Sequence, residues 1–149
     1  MDNQKKLITR IAIAILGIPV VIGLTYLGGV SFTLLLIVIS TLALLELFKL
    51  LKNKGIPPNR FTTLLISIIF LIITGLIPNY IKFAIPAIII ILLLTILVGS
   101  VEYSVKTLSS SIFSTVYIPI NLGFILLLRR TEGLGFELTL MTFITVWAC

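Results

Sequence analysis

Few residues in this 149-residue sequence are able to do chemistry. It has no histidine, and its one cysteine is Cys149. Within these residues, disulfides, Cys/His zinc sites, Cys–His nucleophilic pairs and imidazole acid–base catalysis are therefore excluded. The carboxylates that remain are Asp2, Glu46, Glu102, Glu132 and Glu137. They are too widely spaced in the sequence to predict a metal site, and we assign no metal-binding residue.

Glu46 has the least usual surroundings of these carboxylates, because it lies within the apolar stretch Leu44–Lys49. If this stretch lies in a membrane, a charge costs about 2.5–3.5 kcal/mol at a helix centre and less near a helix end. One interpretation is an interfacial glutamate paired with Lys49, three residues further on. The other is a cavity-facing carboxylate that holds helices together or contacts a substrate. The sequence supports both interpretations equally.

Three arginines are candidates for contacts with a substrate phosphate. Arg10 precedes a long apolar run, where it serves either as a positively charged anchor or as a group that grips a lipid phosphate. Arg129 and Arg130 are adjacent and suit bidentate phosphate binding, although a simple position in a loop is the more ordinary interpretation. Tyr117 and Trp147 are interpreted as structural residues, either packing aromatics or aromatics at a membrane interface.

The rest of the sequence consists largely of apolar runs. It is 59% hydrophobic with a mean hydropathy of +1.28, whereas soluble domains are about 45–50% apolar. A soluble domain of this size could not bury so much apolar surface. We therefore predict an all-α, polytopic transmembrane protein in which residues 1–149 form one membrane-embedded unit. The net charge of +6 does not indicate nucleic-acid binding, because the basic residues lie at the ends of apolar runs and not along one stripe.

Five of these runs approach the roughly 17–25 residues that cross a bilayer as a helix. They are Ile11–Leu27, Val30–Leu51, Phe61–Ile77, Ile81–Val98 and Ile112–Leu128. A sixth run, Leu138–Cys149, would rise only about 18 Å and stop within the bilayer. We therefore expect five transmembrane helices and a truncated sixth, as the N-terminal part of a longer protein.

Short polar segments separate the runs and predict the connections. They are Lys52–Arg60, Pro78–Asn79, Glu102–Ser111 and Arg129–Gly133. Pro19, Pro86 and Pro119 lie inside runs and predict kinks.

Lysine and arginine residues are unevenly divided between the two predicted sides of the membrane. Eight lie on the side of the N-terminus: Lys5, Lys6, Arg10, Lys49, Lys52, Lys54, Arg60 and Lys106. Only Lys82, Arg129 and Arg130 lie on the other side. This imbalance places the N-terminus in the cytoplasm. The Arg129–Arg130 pair is the exception, and it is expected either in a loop or lining a polar cavity.

Several short segments occur in an order that identifies a family. They are Leu7–Ile11 with Pro19, Gly28-Gly29 with Phe32, Leu42–Leu50 with Gly55 and Pro57, then Tyr117, Leu128–Arg130 and Val146–Ala148. In this order, over nearly the whole chain, they resemble the N-terminal part of bacterial phosphatidate cytidylyltransferase (CDP-diacylglycerol synthase).

The resemblance implies an inner-membrane enzyme of phospholipid biosynthesis, a nucleotidyltransferase. It transfers CMP from CTP to phosphatidic acid, releases diphosphate and uses Mg²⁺. In that family an aspartate follows the valine–tryptophan segment, and a Ser-Pro-Lys-Lys-Thr stretch and a Ser/Lys/Asp signature come later. None of these occurs in residues 1–149. The catalytic residues are therefore expected beyond Cys149, and this fragment alone is predicted to bind no Mg²⁺ and to be inactive.

Two other functions remain open. One is a related CTP-dependent polyprenol or phytol kinase. The other is a small transport or scaffold protein without chemistry, although a transporter would show broken helices in matching halves and this sequence shows only scattered prolines. The expected partners are CTP and phosphatidic acid, with a homodimer as a further candidate and with no nucleic acid.

Overall fold

The computed structural model describes residues 17–94 and 101–148, and all the regular structure within them is helical. The helices are α1 (Gly17–Leu27), α2 (Gly29–Asn53), α3 (Arg60–Leu76), α4 (Ile81–Leu94), α5 (Val101–Thr115), α6 (Asn121–Arg129) and α7 (Gly135–Ala148). A 3₁₀ turn, Pro78–Tyr80, precedes α4, and a π-helical turn, Val116–Ile120, joins α5 to α6. The prediction of an all-α chain is confirmed.

Two of the helices are long and apolar enough to cross a membrane by length and composition. They are α2 and the continuous helix Val105–Arg129, each of 25 residues. The other apolar helices, Gly17–Leu27, Arg60–Leu76, Pro78–Leu94 and Gly135–Trp147, are shorter. The start of the predicted first run and the end of the fourth lie outside the described residues.

The predicted breaks at Lys52–Arg60, Pro78–Asn79 and Arg129–Gly133 coincide with the ends of helices. The predicted connector Glu102–Ser111 is wrong, because α5 runs through all of it. That segment is polar but contains neither glycine nor proline, so nothing in its backbone ends a helix. Its hydroxyls fold back onto the helix, and Ser111 Oγ donates to the Thr107 carbonyl at 2.7 Å.

The core is centred on α3, and its buried side chains come from α2, α3, α4 and α6. On α2 the buried side chains recur every fourth residue, at Phe32, Leu36, Ser40, Leu44 and Phe48, and thus form one face of the helix. On α3 they recur at helical spacing from Thr63 to Gly75. Helices α2 and α3 come close together where Gly75 faces the Thr33 side chain, and glycine permits this approach because it has no Cβ.

The contacts at the two ends of the bundle give the helix directions. At one end, called the Asn59 end, the backbone N–H of Asn59 donates to Ser111 Oγ at 3.0 Å. At the other, called the Gly28 end, Arg130 Nη2 donates to the Gly75 carbonyl at 2.6 Å. The start of α3 therefore lies beside α5, and its end lies beside the end of α6. It follows that α3 runs parallel to α5 and α6, and antiparallel to α2.

Gly75→Ala is expected to lower the free energy of unfolding by about 1–3 kcal/mol, the usual cost of overpacking a core. The added methyl group would collide with Thr33, which is itself fixed by a hydrogen bond from its Oγ1 to the Gly29 carbonyl at 2.8 Å. Gly23→Ala is the matched control, since a Cβ there meets no atom within 4 Å. Unfolding midpoints in dodecyl sulfate titrations would test the pair, and equal midpoints would contradict the close approach.

Candidate functional site

Arg129 is the last residue of α6 and lies at the Gly28 end of the bundle. Its side chain binds the last turn of α1. Its Nε donates to the Thr25 carbonyl at 2.7 Å, and its Nη2 donates to the Tyr26 carbonyl at 3.0 Å. Carbonyls in the last turn of a helix have no partner within that helix. Arg129 therefore supplies hydrogen bonds that α1 cannot make for itself.

The surroundings of Arg129 are closely fitted to its guanidinium. Gly28 has a φ of 64°, and a Cβ there would lie 3.0 Å from Arg129 Nη2. The guanidinium carbon also lies 5.9 Å from the centre of the Phe136 ring on α7, at the distance of a cation–π contact. Phe136 in turn meets Tyr26 edge to face, with ring centres 5.6 Å apart. Arg129 thus joins the ends of α1 and α6 to the start of α7.

Arg130 supplies a hydrogen bond to the end of α3, because its Nη2 donates to the Gly75 carbonyl. Each helix C-terminus carries about half a negative charge, and the ends of α1, α3 and α6 meet around these two arginines. The helix ends therefore place partial negative charge beside the two guanidinium groups. Arg129 is the last residue of α6, and Arg130 begins the following loop. Both side chains donate to carbonyls at the ends of other helices. The suggestion that they bind a substrate phosphate stays a prediction.

The other predicted site residues do not join this cluster. Arg10 lies outside the described residues. Glu46 is exposed on α2, towards the Asn59 end and away from the arginines. No described basic group forms an ion pair with it, so the predicted pair with Lys49 is not formed in the described part of the chain. Its neighbours Leu44 and Phe48 are the residues that face the core.

Tyr117 and Trp147 both stack on another aromatic ring of their own helix segment. The rings of Phe113 and Tyr117 lie 5.4 Å apart at 10°, and those of Phe143 and Trp147 lie 5.9 Å apart at 16°. Neither contacts a charged group among the described contacts. Tyr117 and Trp147 are 61% and 47% exposed, so their assignment as packing or interface aromatics stays a prediction.

The described residues do not fit Mg²⁺. The carboxylates with described side chains, Glu46, Glu132 and Glu137, are all exposed, and the first lies far from the other two along the bundle. Among the described residues no three acidic, cysteine or histidine side chains come together. Since Mg²⁺ in such enzymes is held by one or two carboxylates together with substrate phosphates, we derive no step through a metal in this part of the chain.

Hydroxyl groups form the polar part of the interior, and sequence reasoning did not single them out. The buried polar residues among those described are all serine or threonine: Thr25, Thr33, Ser40, Thr63, Ser67, Thr74, Ser110, Ser111, Ser114, Thr115 and Thr139. Most donate to the carbonyl four residues earlier. The Ser40 and Thr63 hydroxyls are buried without a partner. The serine-rich stretch before Pro119 was the feature of the sequence from which buried hydroxyls could have been predicted.

Sequence reasoning also missed Asn121. Pro119 has no N–H, and the helix passes it as the π-helical turn Val116–Ile120. The Asn121 side chain donates to the carbonyls of Val116 and Tyr117, at 3.1 and 2.9 Å. A lone asparagine two residues after a proline inside an apolar run was a visible signal.

The cavities are apolar. One of about 80 Å³ lies between α3 and α4 and is lined only by aliphatic side chains and Phe70. A wider depression of about 500 Å³ lies between α6 and α7, with Thr131 and Thr142 as its polar residues. Neither contains a titratable group, so neither is equipped for acid–base or nucleophilic chemistry. Both suit hydrocarbon.

Comparison with known proteins identifies a family. The model of the cytidylyltransferase family matches residues 8–149. Searches of curated proteins and of solved structures gave no match. The matched residues contain all seven described helices and the two arginines that join their ends. The match covers nearly the whole chain. The chain therefore belongs to the cytidylyltransferase family.

Proposed function

We propose that this chain is the membrane-embedded N-terminal part of a phosphatidate cytidylyltransferase. The whole enzyme would convert CTP and phosphatidate to CDP-diacylglycerol and diphosphate. The observation that carries the proposal is the family match over residues 8–149. The exposed isoleucine and leucine side chains on most helices support a lipid environment, because a bilayer solvates such side chains directly.

In this reaction a phosphate oxygen of phosphatidate attacks the α-phosphorus of CTP. The bond between that phosphorus and the oxygen bridging to the β-phosphate breaks, and diphosphate leaves. Mg²⁺ would support the phosphates in the whole enzyme. Among the described residues no three acidic, cysteine or histidine side chains come together. The catalytic groups are proposed to lie outside residues 1–149, as the family resemblance implies. This part of the chain contributes a helical scaffold and an apolar surface.

Within the proposal the chain has five spans and a truncated sixth, in the inner membrane, with the N-terminus in the cytoplasm. The Asn59 end of the bundle then faces the cytoplasm, and the Gly28 end faces the opposite side. Eight of the eleven lysine and arginine residues lie on the predicted cytoplasmic side, as the positive-inside rule requires.

The orientation predicts which loop an impermeant reagent reaches. In a Cys149→Ser background, which has no cysteine, we expect a maleimide to label Glu132→Cys in intact spheroplasts. It should label Lys54→Cys only after the membrane is opened. Both positions are exposed, so burial does not distinguish them. Reversed labelling would contradict the orientation, and labelling of both positions in intact spheroplasts would contradict the spans.

The type of transfer is tested by the position of the label in CTP. Membranes that contain the longer reading frame implied by the proposal are supplied with phosphatidate and with CTP labelled at the α- or the γ-phosphate. A cytidylyltransferase moves the α-label into lipid and releases the γ-label in diphosphate. The alternative, a CTP-dependent polyprenol or phytol kinase, moves the γ-label into lipid. Lipid labelled from the γ-position alone would overturn the proposal.

A further inference from the structure

The segment that joins α2 to α3 is strongly basic. Residues 49–60, which we call the basic loop, contain Lys49, Lys52, Lys54 and Arg60 and no acidic residue. All four basic side chains are exposed, and no described residue forms an ion pair with any of them. The basic loop therefore presents four positive charges at the Asn59 end of the bundle without a protein partner among the described residues.

Hydrogen bonds at both ends of the basic loop fix its backbone. Where α2 ends, Gly55 has a φ of 75°, and its N–H donates to the Lys52 carbonyl at 3.1 Å. The Ile56 N–H donates to the Leu51 carbonyl at 3.1 Å, which completes a Schellman motif. Where α3 begins, the Asn59 side chain caps the helix. The backbone therefore holds the four basic residues close together.

Exposed apolar side chains lie among these charges. Leu50, Ile56 and Phe61 are 63%, 37% and 76% exposed. Water solvates such groups poorly, whereas the boundary between lipid headgroups and acyl chains accepts apolar and basic side chains together. The basic loop and Phe61, which directly follows it, therefore have the composition of a surface that lies in the headgroup region of a membrane.

We propose that the basic loop binds the headgroup of phosphatidate in the cytoplasmic leaflet and so gathers this lipid beside the enzyme. The inference rests on the membrane placement and the substrate in the proposed function. A phosphomonoester carries a charge of about −1.5 to −2 near neutral pH, and neighbouring cations favour its doubly charged form. The phosphodiester of phosphatidylglycerol carries a single charge. The basic loop should therefore attract phosphatidate more strongly than phosphatidylglycerol.

The loop at the Gly28 end provides the comparison. Membrane topology alone would favour basic residues at the Asn59 end, but it would not require that they prefer one lipid. At the Gly28 end, Arg129 and Arg130 donate to helix carbonyls. Leu134, in the loop that follows them, is 60% exposed. We expect a preference for phosphatidate beside the basic loop and none beside Leu134.

Fluorescence quenching by brominated lipids tests this expectation with the full chain in phosphatidylcholine vesicles. In a Trp147→Phe background, which has no tryptophan, Phe61→Trp reports on the basic loop and Leu134→Trp is the matched control. A minor fraction of the lipid is phosphatidate, phosphatidylglycerol or phosphatidylcholine brominated near the headgroup. One basic residue near an anionic surface changes a binding constant by about fivefold. At position 61 we expect phosphatidate to bind about fivefold or more better than phosphatidylcholine, and at position 134 about equally.

Substitutions in the basic loop test the role of its charges. Lys52→Gln, Lys54→Gln and Arg60→Gln together should reduce the preference at position 61 to that at position 134, whereas Lys52→Arg with Lys54→Arg should retain it. Inorganic phosphate should lower the preference no more than sodium chloride of the same ionic strength. Equal preference at the two positions would overturn the proposal. So would a preference that the three glutamines leave unchanged, equal binding of phosphatidylglycerol, or specific competition by inorganic phosphate.

Quenching by brominated phosphatidylcholine separates this proposal from the proposed function. If that lipid quenches both positions and phosphatidate shows no preference, the membrane placement holds and the proposal for the basic loop fails. If no brominated lipid quenches either position, the membrane placement fails and the basic loop proposal fails with it. Quenching does not depend on turnover, so the labelled-CTP assay tests the reaction independently.

Discussion

Arg129→Gln is expected to lower the free energy of unfolding by about 3 kcal/mol or more, because two hydrogen bonds from a charged group are lost at about 1.5–3 kcal/mol each. The carbonyls of Thr25 and Tyr26, which Arg129 binds, would be left without partners at the end of α1. Glutamine is too short to replace both bonds. Arg129→Lys should recover part of the loss, because an ammonium reaches one carbonyl but lacks the fork of a guanidinium.

Arg60→Gln is the matched control for this substitution. Arg60 is exposed at the first residue of α3, and no described residue bonds its guanidinium. Its removal should change stability by less than about 0.5 kcal/mol. Dodecyl sulfate titrations followed by circular dichroism would measure both variants. If Arg129→Gln were as stable as Arg60→Gln, the arginine could not be holding the end of α1.

Gly28→Ala is expected to disrupt the same junction from the other side. Gly28 has a φ of 64° and a ψ of −156°, a conformation that essentially only glycine adopts and that costs a residue with a side chain about 1–3 kcal/mol. The new Cβ would also displace the Arg129 guanidinium, because it would lie 3.0 Å from Nη2. Gly55→Ala is the control for a positive φ without a neighbouring side chain. Gly55 has a φ of 75° but meets no atom within 4 Å. The loss at Gly28 should therefore exceed the loss at Gly55.

A double-mutant cycle separates the contact with Arg129 from the backbone cost at Gly28. In the Arg129→Gln background the guanidinium is gone, so Gly28→Ala should then cost less than it does in the wild-type chain. Unfolding midpoints for the four variants of the cycle provide the measurement. An equal cost of Gly28→Ala in both backgrounds would show that the Arg129 guanidinium is not responsible for any of the loss.

The two arginines also explain the exception to the charge rule. They lie on the proposed outer side, where few positive charges are expected. Their donors bind helix ends at Thr25, Tyr26 and Gly75, and those ends carry partial negative charge. Their place is therefore set by packing of the helix ends. In a count of charges that determine topology they should carry little weight.

Most helix positions could be predicted from the sequence because apolar runs and backbone-breaking residues are local signals. The run Phe61–Ile77 corresponds to α3, Arg60–Leu76, because Pro57-Pro58 precedes it and Pro78 follows it. The predicted break at Glu102–Ser111 is wrong because polarity alone does not end a helix. Serine and threonine do not end a helix when their hydroxyls bond its own carbonyls.

The role of Arg129 could not be predicted from local signals, whereas the role of Asn121 could have been. The carbonyls that Arg129 binds lie 104 and 103 residues earlier in the chain, so no local pattern connects them. Helix packing was not readable because isoleucine and leucine occur on every side of each apolar run, which leaves no face marked. Asn121 acts within its own helix, and Pro119 beside it was a local signal of an altered turn.

The central claim is that these residues form the scaffold of a cytidylyltransferase and that the reacting groups lie outside them. It is tested most directly by adding α-labelled CTP, phosphatidate and Mg²⁺ to membranes that contain either the 149-residue chain or the longer reading frame. We predict labelled CDP-diacylglycerol from the longer frame and none above background from the 149-residue chain. Mg²⁺-dependent formation of labelled CDP-diacylglycerol by the 149-residue chain alone would contradict the claim.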